Sequence, residues 1–371
     1  MTHCHADHMC GLKACHGHSL YCSQVSANIL AKRGLGSIAK PINHAFDIID
    51  RRSSKVLRIT FIDANHCPGA VMVVIEDPEE GNCVHTGDFR MCDAIRHNNT
   101  LVRLAGNVQH LYLDATFNVP WLPSKADSIV MLEELLHENH DRDIILHSHC
   151  LGDEELLEAI FNIMRDRRVV WWNQDRRKLF ECTHPHLLRQ RERCRTPRCT
   201  SGMFVHIVKN TAERHRHQLA GVEISCSTLW FKHQGFENFE MNKPVYEAEK
   251  DLWHVPFSMH SSTQELLELK SLLQASGSIT TWMHGNQQKK PEVRTTLFDP
   301  DTESADGGAK KEALQREADF IKRVYEAVDK SVDFYSAVDA ASEEEMDELL
   351  VEQALHSPRH KRRREMCAAE S

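Results

Sequence analysis

The chain has 371 residues, 41% of them hydrophobic and 27% charged, which suits a globular protein of about two domains. The net charge of −9 argues against a protein that binds nucleic acid through its overall charge. There is no apolar run long enough to span a bilayer and no apolar signal segment, so we expect an intracellular protein whose thirteen cysteines are reduced thiols.

The first eight residues carry the motif H-x-H-x-D-H, which consists of His3, His5, Asp7 and His8. This spacing suits a sharp loop, from which His3 and His5 point to one side and the other two side chains reach a second position. Imidazole and carboxylate ligands favour zinc, with manganese or iron at the more carboxylate-rich position. The motif therefore predicts a two-metal site. The alternative is a solvated tail in a chain with 25 histidines.

The next part of the chain predicts strands and one helix, and several of the strands end at a histidine or an aspartate. The predicted strands are 19–22, 55–63, 70–76, 83–86 and 110–114, and a helix capped by Ser23 runs to Lys32. His66 follows the second of these strands, Asp88 follows the fourth, and Asp114 ends the fifth.

From about residue 119 the pattern changes to helices that alternate with short strands, which predicts an α/β unit. The predicted helices are 124–140 and 152–165, and the predicted strands are 144–147, 169–172, 203–208 and 222–225. Residues 182–199 are predicted to be a basic loop insertion, since their cysteines and histidines fit no standard zinc framework. Between Arg165 and Arg198 there are eleven Lys or Arg and four Asp or Glu, so phosphate groups would be attracted locally.

The last predicted strand that leads to a candidate ligand lies within residues 252–260, where an apolar segment precedes His260. A helix capped by Ser262 then runs to Gln274, followed by a strand at 278–283. A polar linker at 291–310, helices at 311–328 and 343–355, and a basic tail complete the chain. The tail at 357–364 predicts a nuclear import signal, with a solvated charge run as the alternative.

The candidate ligands share one placement, because each lies in the opening loop or at the end of a predicted strand. Sites of open sheets form at such strand ends, so residues that are distant in sequence can meet there.

Five segments resemble the successive motifs of the metallo-β-lactamase/β-CASP DNA cross-link repair nucleases, the branch that includes Artemis. These segments are residues 3–8, 63–72, 85–90, 111–117 and 255–262, and the second of them, D-A-N-H-C-P-G-A-V-M, is highly specific. The RNA-processing β-CASP nucleases share the first motif but differ around His66. The resemblance covers roughly residues 1–290.

The resemblance implies an α/β fold, with a metallo-β-lactamase αββα sandwich that lacks its first strands and an inserted β-CASP α/β domain. It divides the chain into residues 1–118, the insert 119–250, a return segment 251–290, and a C-terminal region 291–371. Relatives begin with several strands before the first motif, whereas Met1 stands two residues ahead of His3 here, so we expect an incomplete first sheet.

The resemblance also assigns the site. It implies that His3, His5 and His66 bind one zinc, that Asp88 bridges to a second, and that Asp7, His8 and His260 complete the second site. Asp7, Asp88 and Asp114 are the expected catalytic carboxylates, and Thr116, Gly152 and His206 are the expected substrate-binding residues. Asp153 stands where relatives have a lysine that helps to bind a terminal phosphate, so we expect weaker recognition of a 5′-phosphate.

The implied function is a nuclear, zinc-dependent DNA nuclease, a 5′-3′ exonuclease in cross-link or double-strand break repair. Two ions bridged by Asp88 would lower the pKa of a shared water and neutralise charge on the phosphate. The substrate would be single-stranded or end-processed duplex DNA. The alternatives are an RNA-cleaving β-CASP nuclease and a non-catalytic remnant that binds nucleic acid.

Overall fold

The computed structural model describes residues 1–12, 19–49, 55–117, 119–148, 150–193, 203–275 and 278–282. The helices are α1 (Gln24–Lys32), α2 (Asp93–Arg96), α3 (Asn99–Leu104), α4 (Lys125–Glu138), α5 (Glu154–Ile163), α6 (Gln174–Thr183), α7 (Pro185–Arg193), α8 (Thr211–Arg216), α9 (Thr228–Gln234) and α10 (Thr263–Leu273). The strands are β1 (Tyr21–Ser23), β2 (Ile38–Lys40), β3 (Ala45–Ile49), β4 (Val56–Asp63), β5 (Val71–Glu76), β6 (Cys83–His85), β7 (His110–Asp114), β8 (Ile144–His147), β9 (Arg168–Trp171), β10 (Phe204–Val208), β11 (Val222–Cys226), β12 (Val245–Glu247), β13 (Leu252–Val255) and β14 (Ser278–Trp282). The predicted linker, the two C-terminal helices and the basic tail lie outside the described residues.

The first large sheet has the order β14-β7-β6-β5-β4-β3. β3 to β6 form an antiparallel meander, whereas β6, β7 and β14 run parallel. One face of the sheet buries Ile62, Met72, Val74 and Val84 in the same apolar core as residues of α1, α3 and α10. Because β4, β6 and β7 end at the same edge, the loops that carry His66 and Asp88 lie there beside Asp114, the last residue of β7.

The second large sheet has the order β12-β13-β11-β8-β10-β9, and only β12 is antiparallel to its neighbour. Parallel strands need crossover connections, which α5 to α9 supply among the described residues, whereas α4 leads from β7 of the first sheet into β8. Ile144, Leu146, Ile207 and Ile224 are buried in the core of this region. β13 pairs in parallel with β11 and ends at Val255, whereas the domain boundary at 250 stays a prediction.

The structure confirms the helix starts that depend on side-chain caps. Ser124 forms a capping box with Asp127, Ser262 forms one with Glu265, and Ser23 accepts a hydrogen bond from the backbone of Ser26. These caps satisfy backbone N–H groups in the first turn, so local sequence is sufficient to place them.

The prediction of a loop at residues 182–199 is wrong in its first part, because α6 continues to Thr183 and α7 occupies Pro185–Arg193. Phe180 and Leu188 are buried in the apolar core beside the second sheet. Their packing therefore stabilises helices in a segment that is rich in arginine. Several short elements were also not predicted, namely β2, β3, β12, α2, α3, α8 and α9. A mixed α/β fold with several sheets is confirmed. Within the described residues, no helix combines the length and the hydrophobicity of a membrane span.

Candidate metal centre

The first ligand group forms where the opening loop meets the loops after β4 and β6. In this group, nitrogen atoms of three histidines and an oxygen of one aspartate lie within 4.8 Å of one another; the residues are His3, His5, His66 and Asp88. His3 and His66 are fully buried, and Asp88 is 3% exposed. Asp88 Oδ2 is 3.6 Å from His3 Nε2 and 3.7 Å from His66 Nε2. The carboxylate therefore faces both imidazoles across a space in which a cation would fit.

The second group shares Asp88 and adds Asp114 and His260, and its donor atoms also lie within 4.8 Å of one another. His260 Nδ1 donates to Asp114 Oδ2 at 2.7 Å. Asp114 accepts further hydrogen bonds at Oδ1 from Thr116, at 2.9 Å from the backbone N–H and 2.5 Å from the hydroxyl. Because Nδ1 of His260 carries this proton, its Nε2 is left as the metal-binding atom.

The two remaining predicted ligands, Asp7 and His8, lie in a 3₁₀ turn at Asp7–Met9. His8 Nε2 is 3.3 Å from Asp88 Oδ2 and 3.5 Å from Asp7 Oδ2, so His8 lies beside the shared carboxylate and Asp7 lies beside His8. The side chain of Asp7 is 53% exposed, and neither residue belongs to the two groups described above. Their assignment as metal ligands stays a prediction.

Backbone carbonyls fix the orientation of two imidazoles in the first group. His5 Nε2 donates to Leu151 O at 2.9 Å, and His66 Nδ1 donates to Met259 O at 3.0 Å. Carbonyl oxygens only accept, so these two ring nitrogens carry the protons. The unprotonated nitrogens, His5 Nδ1 and His66 Nε2, then face each other at 3.0 Å. Both carbonyls follow strands of the second sheet, so both sheets contribute to the orientation of the ligands.

The electrostatic environment differs among the residues of the centre. Burial, followed by repulsion from three neighbouring imidazoles, holds the pKa of His66 well below its usual value, so His66 is neutral. Burial lowers the pKa of His8, but interactions with nearby carboxylates, that of Asp88 first, together outweigh burial and raise the pKa of His8. Burial raises the pKa of Asp114, but hydrogen bonds and charge interactions, those with His260 first, together outweigh burial and lower the pKa, so the carboxyl is ionised. Neutral imidazoles and ionised carboxylates are the forms that bind divalent cations. His66 and Asp114 are in these forms, whereas a bound cation would displace the proton that the carboxylates favour on His8.

The carboxylate of Asp88 indicates what the centre holds. Its Oδ1 atom is buried and accepts no hydrogen bond from the described residues. An unpaired buried carboxylate oxygen is costly, because burial removes its hydration. A cation between the two groups would offset that cost, and nitrogen and oxygen donors of this kind fit zinc, manganese or iron. The residues present therefore fit one metal ion in each group, with Asp88 shared.

Arg90 supports the centre from behind and was not assigned a role from the sequence. It is 1% exposed and donates to His260 O at 3.0 Å and to Pro123 O at 2.7 Å. Its Nε lies 3.2 Å from Glu265 Oε1. Arg90 stands two residues after Asp88 in the same motif, and that adjacency was the available sequence signal. Its guanidinium fixes the backbone of a candidate ligand.

The three predicted substrate-binding residues lie in different environments. Thr116 contacts Asp114, as described above. Gly152 has a φ of +115°, which residues with a Cβ rarely adopt, and a Cβ there would lie 1.7 Å from Met259 Sδ, so this backbone position favours glycine. His206 lies in the second sheet, where it accepts a hydrogen bond from Trp172 Nε1 at 3.1 Å and lies 3.5 Å from Asp143. Its described contacts include no residue of the metal centre.

Asp153 contacts Arg176, which belongs to the basic segment 165–198 and lies on α6. Arg176 donates to Asp153, to Glu154 Oε1 at 2.8 Å and to Ser148 Oγ at 2.8 Å, and its side chain is fully buried. Burial lowers the pKa of Arg176, but the two carboxylates outweigh burial and raise it. Glu154 Oε2 also accepts the N–H of Gly152 at 2.7 Å. The network therefore holds the loop whose Leu151 carbonyl orients His5.

Comparison with known proteins gives consistent matches. Residues 190–286 match the family model described as DNA repair metallo-beta-lactamase. The chain is 26% identical over 310 residues to the DNA cross-link repair protein SNM1 of Arabidopsis thaliana, covering 80% of this chain and 63% of that protein. It is 32% identical over 278 residues to the 5' exonuclease Apollo of Rattus norvegicus, covering 72% and 47% respectively. It is 25% identical over 292 residues to the DNA cross-link repair 1A protein of Homo sapiens, covering 74% and 26%. The chain thus spans less than two thirds of the length of each of these relatives.

Proposed function

Because this chain belongs to the metallo-β-lactamase/β-CASP family of DNA cross-link repair nucleases, we propose that it hydrolyses phosphodiester bonds in DNA with two bound divalent metal ions. The observation that carries this proposal is the pair of ligand groups joined by the buried carboxylate of Asp88. Zinc is the proposed metal at both positions, with manganese or iron as the alternative at the position of Asp114 and His260.

The proposed mechanism assigns a task to each group of side chains. When bound, two divalent ions supply the Lewis acidity that makes water nucleophilic at neutral pH and offsets charge on a phosphate. Asp88 supplies the negative charge shared by both positions. Asp114 holds the proton on Nδ1 of His260 and so presents its other nitrogen. The Leu151 carbonyl does the same for His5.

The finer parts of the proposal concern substrate and setting. We propose a 5′-3′ exonuclease that acts on single-stranded or end-processed DNA in nuclear repair, in line with the relatives named as a 5' exonuclease and as cross-link repair proteins. We also propose that the first sheet forms the metallo-β-lactamase part, that the second sheet forms the inserted β-CASP part, and that a groove between them admits the strand.

The experiment begins with metal content and continues with hydrolysis. We expect about two zinc ions per folded chain by elemental analysis, because two ligand groups are present. Asp88→Asn removes the shared charge and should abolish hydrolysis of a labelled single-stranded DNA. Asp47→Asn on β3 is the matched control, since Asp47 is exposed and lies in neither ligand group. This control should cleave at the unaltered rate.

Two results would overturn the proposal. One is a folded, chelator-free preparation that binds no divalent metal. The other is hydrolysis by Asp88→Asn at the unaltered rate. RNA of the same sequence, tested in parallel, separates a DNA nuclease from an RNA-cleaving one. Binding without cleavage of either substrate would leave a nucleic-acid-binding protein.

A further inference from the structure

An exposed lysine lies at the rim of the metal centre, on a helix that connects two strands of the second sheet. Lys232 is in α9, and its Nζ is 3.3 Å from Thr116 O. The same Nζ is 5.0 Å from the centroid of the Phe117 ring, which in turn lies 5.5 Å from the ring of His260. A single aromatic ring thus separates the ammonium group from a candidate metal ligand.

The backbone of this lysine is held by apolar packing. Phe231, the preceding residue, is fully buried and shares one apolar cluster with Phe117, Val119 and Leu122. α9 is therefore fixed against the segment that follows Asp114. The packing of α9 positions the backbone of Lys232 beside the centre, and the ammonium group contacts Thr116 O there rather than a carboxylate of the described residues.

The charge of Lys232 has no carboxylate partner in the described part of the chain, where no Asp or Glu oxygen lies within 4.0 Å of its nitrogen. Other lysines do have such partners; they are Lys32, Lys55, Lys125, Lys178, Lys243 and Lys250. A carbonyl and a ring face attract an ammonium group but leave its net charge intact. The positive charge is therefore available to an anion.

We propose that Lys232 binds a backbone phosphate of the nucleic acid strand, within about three nucleotides of the phosphate held at the metal centre. This inference rests on the proposed function. The distances of 5.0 Å from Lys232 Nζ to the Phe117 ring and 5.5 Å from that ring to His260 together equal about three times the axial rise of about 3.4 Å per nucleotide of one strand of duplex DNA. A strand at the centre therefore passes Lys232 within about three nucleotides. The contact is to phosphate and carries no base preference.

The test measures binding first, with no need for turnover. The full chain is stripped of metal with a chelator, and its Kd for a labelled single-stranded oligonucleotide is measured over a range of salt concentrations. Lys232→Met should bind roughly two- to fivefold more weakly at low salt, and its log–log salt slope should be shallower by about 0.7, the value for one phosphate contact on a single strand. Lys232→Arg should keep the slope, because it keeps the charge.

The matched control is Lys40→Met. Lys40 Nζ also lies over an aromatic ring, that of Phe46 at 4.7 Å, but its ring contacts are Phe46 and Tyr21, away from the ligand groups. We expect this variant to bind as the unaltered chain does. In the metal-loaded chain, Lys232→Met should raise KM for DNA and leave kcat unchanged, since a phosphate remote from the reacting bond contributes equally to ground-state and transition-state binding.

Equal Kd values and equal salt slopes for Lys232→Met and the unaltered chain would overturn the inference. So would an equal loss of affinity in Lys40→Met, because the effect would then follow net charge alone. Failure of the proposed function is distinguishable, since it appears as absent metal or absent cleavage, whereas the binding arm uses neither. If the metal-free unaltered chain binds no DNA, the inference about Lys232 is overturned, whereas the proposed hydrolysis is judged only on the metal-loaded chain.

Discussion

Replacement of the buried guanidinium of Arg176 tests how the second sheet supports the metal centre. Arg176→Met removes the cation that contacts Asp153 and Glu154, while methionine retains much of the apolar stem. Glu154 is then left as a buried carboxylate with no cationic partner in the described part of the chain. Removal of one partner from a buried pair costs about 3–5 kcal/mol. That is a large share of the roughly 5–15 kcal/mol by which a typical domain is stable.

Stability is measured by urea unfolding, with tryptophan fluorescence as the signal, and zinc affinity is measured by titration of the folded variant. We expect a lower unfolding midpoint and weaker zinc binding, because the network holds the Leu151 carbonyl that orients His5. Arg214→Met is the matched control. It breaks an arginine–carboxylate pair with the buried Glu223 of the second sheet, and that pair has no described contact with the metal centre. This control should lose stability but keep its zinc affinity.

An unchanged unfolding midpoint in Arg176→Met would refute the energetic argument. A loss of zinc affinity equal to that of the control would refute the argument that Arg176 acts through Leu151. If Arg176→Met does not fold, Arg176→Met/Glu154→Gln removes the unpaired charge and should fold, with stability partly recovered.

Three further predictions concern the acidic residues Glu223 and Asp153. Burial raises the pKa of Glu223, but hydrogen bonds from His147 and Arg214 outweigh burial and lower it. A lowered folded-state pKa contributes stability that is present above the unfolded value and is lost as pH falls through the folded value. Glu223→Gln should therefore be less stable than the unaltered chain at pH 7, yet lose less stability between pH 7 and acidic pH in urea unfolding; an equal loss would contradict this. Asp153 stands at the position where relatives have a phosphate-binding lysine, so we expect weaker discrimination between 5′-phosphate and 5′-hydroxyl ends than relatives show. Strong 5′-phosphate dependence in parallel digestions of the two substrates would refute this expectation. Asp153→Lys, which the sequence alone predicts to restore discrimination, should instead destabilise the fold, since the new cation would face the buried Arg176.

The order of elements was largely predictable wherever a local signal acts on neighbouring residues. The capping boxes at Ser124 and Ser262 place the starts of α4 and α10, and alternation of β-branched residues places β4. Short elements such as β2, β3 and β12 were missed, because three to five residues carry too little periodicity and form through pairing with neighbouring strands. α7 was missed because the burial of Leu188 outweighs a polar composition.

The sequence by itself determined which side chains make up the candidate centre. Placement in the opening loop or at predicted strand ends, together with the family resemblance, selects His3, His5, Asp7, His8, His66, Asp88, Asp114 and His260. The tertiary structure brings all of these except Asp7 and His8 together in two groups. Only the tertiary structure decided which ring nitrogen of each histidine carries its proton, since the acceptors Leu151 O and Met259 O are separated from their histidines by 146 and 193 positions. The same holds for the pairing of Arg176 with Asp153 and for the position of Lys232 beside Phe117. Side-chain chemistry is a local property of sequence, whereas these contacts join distant segments whose relative positions follow from the packing of the two sheets.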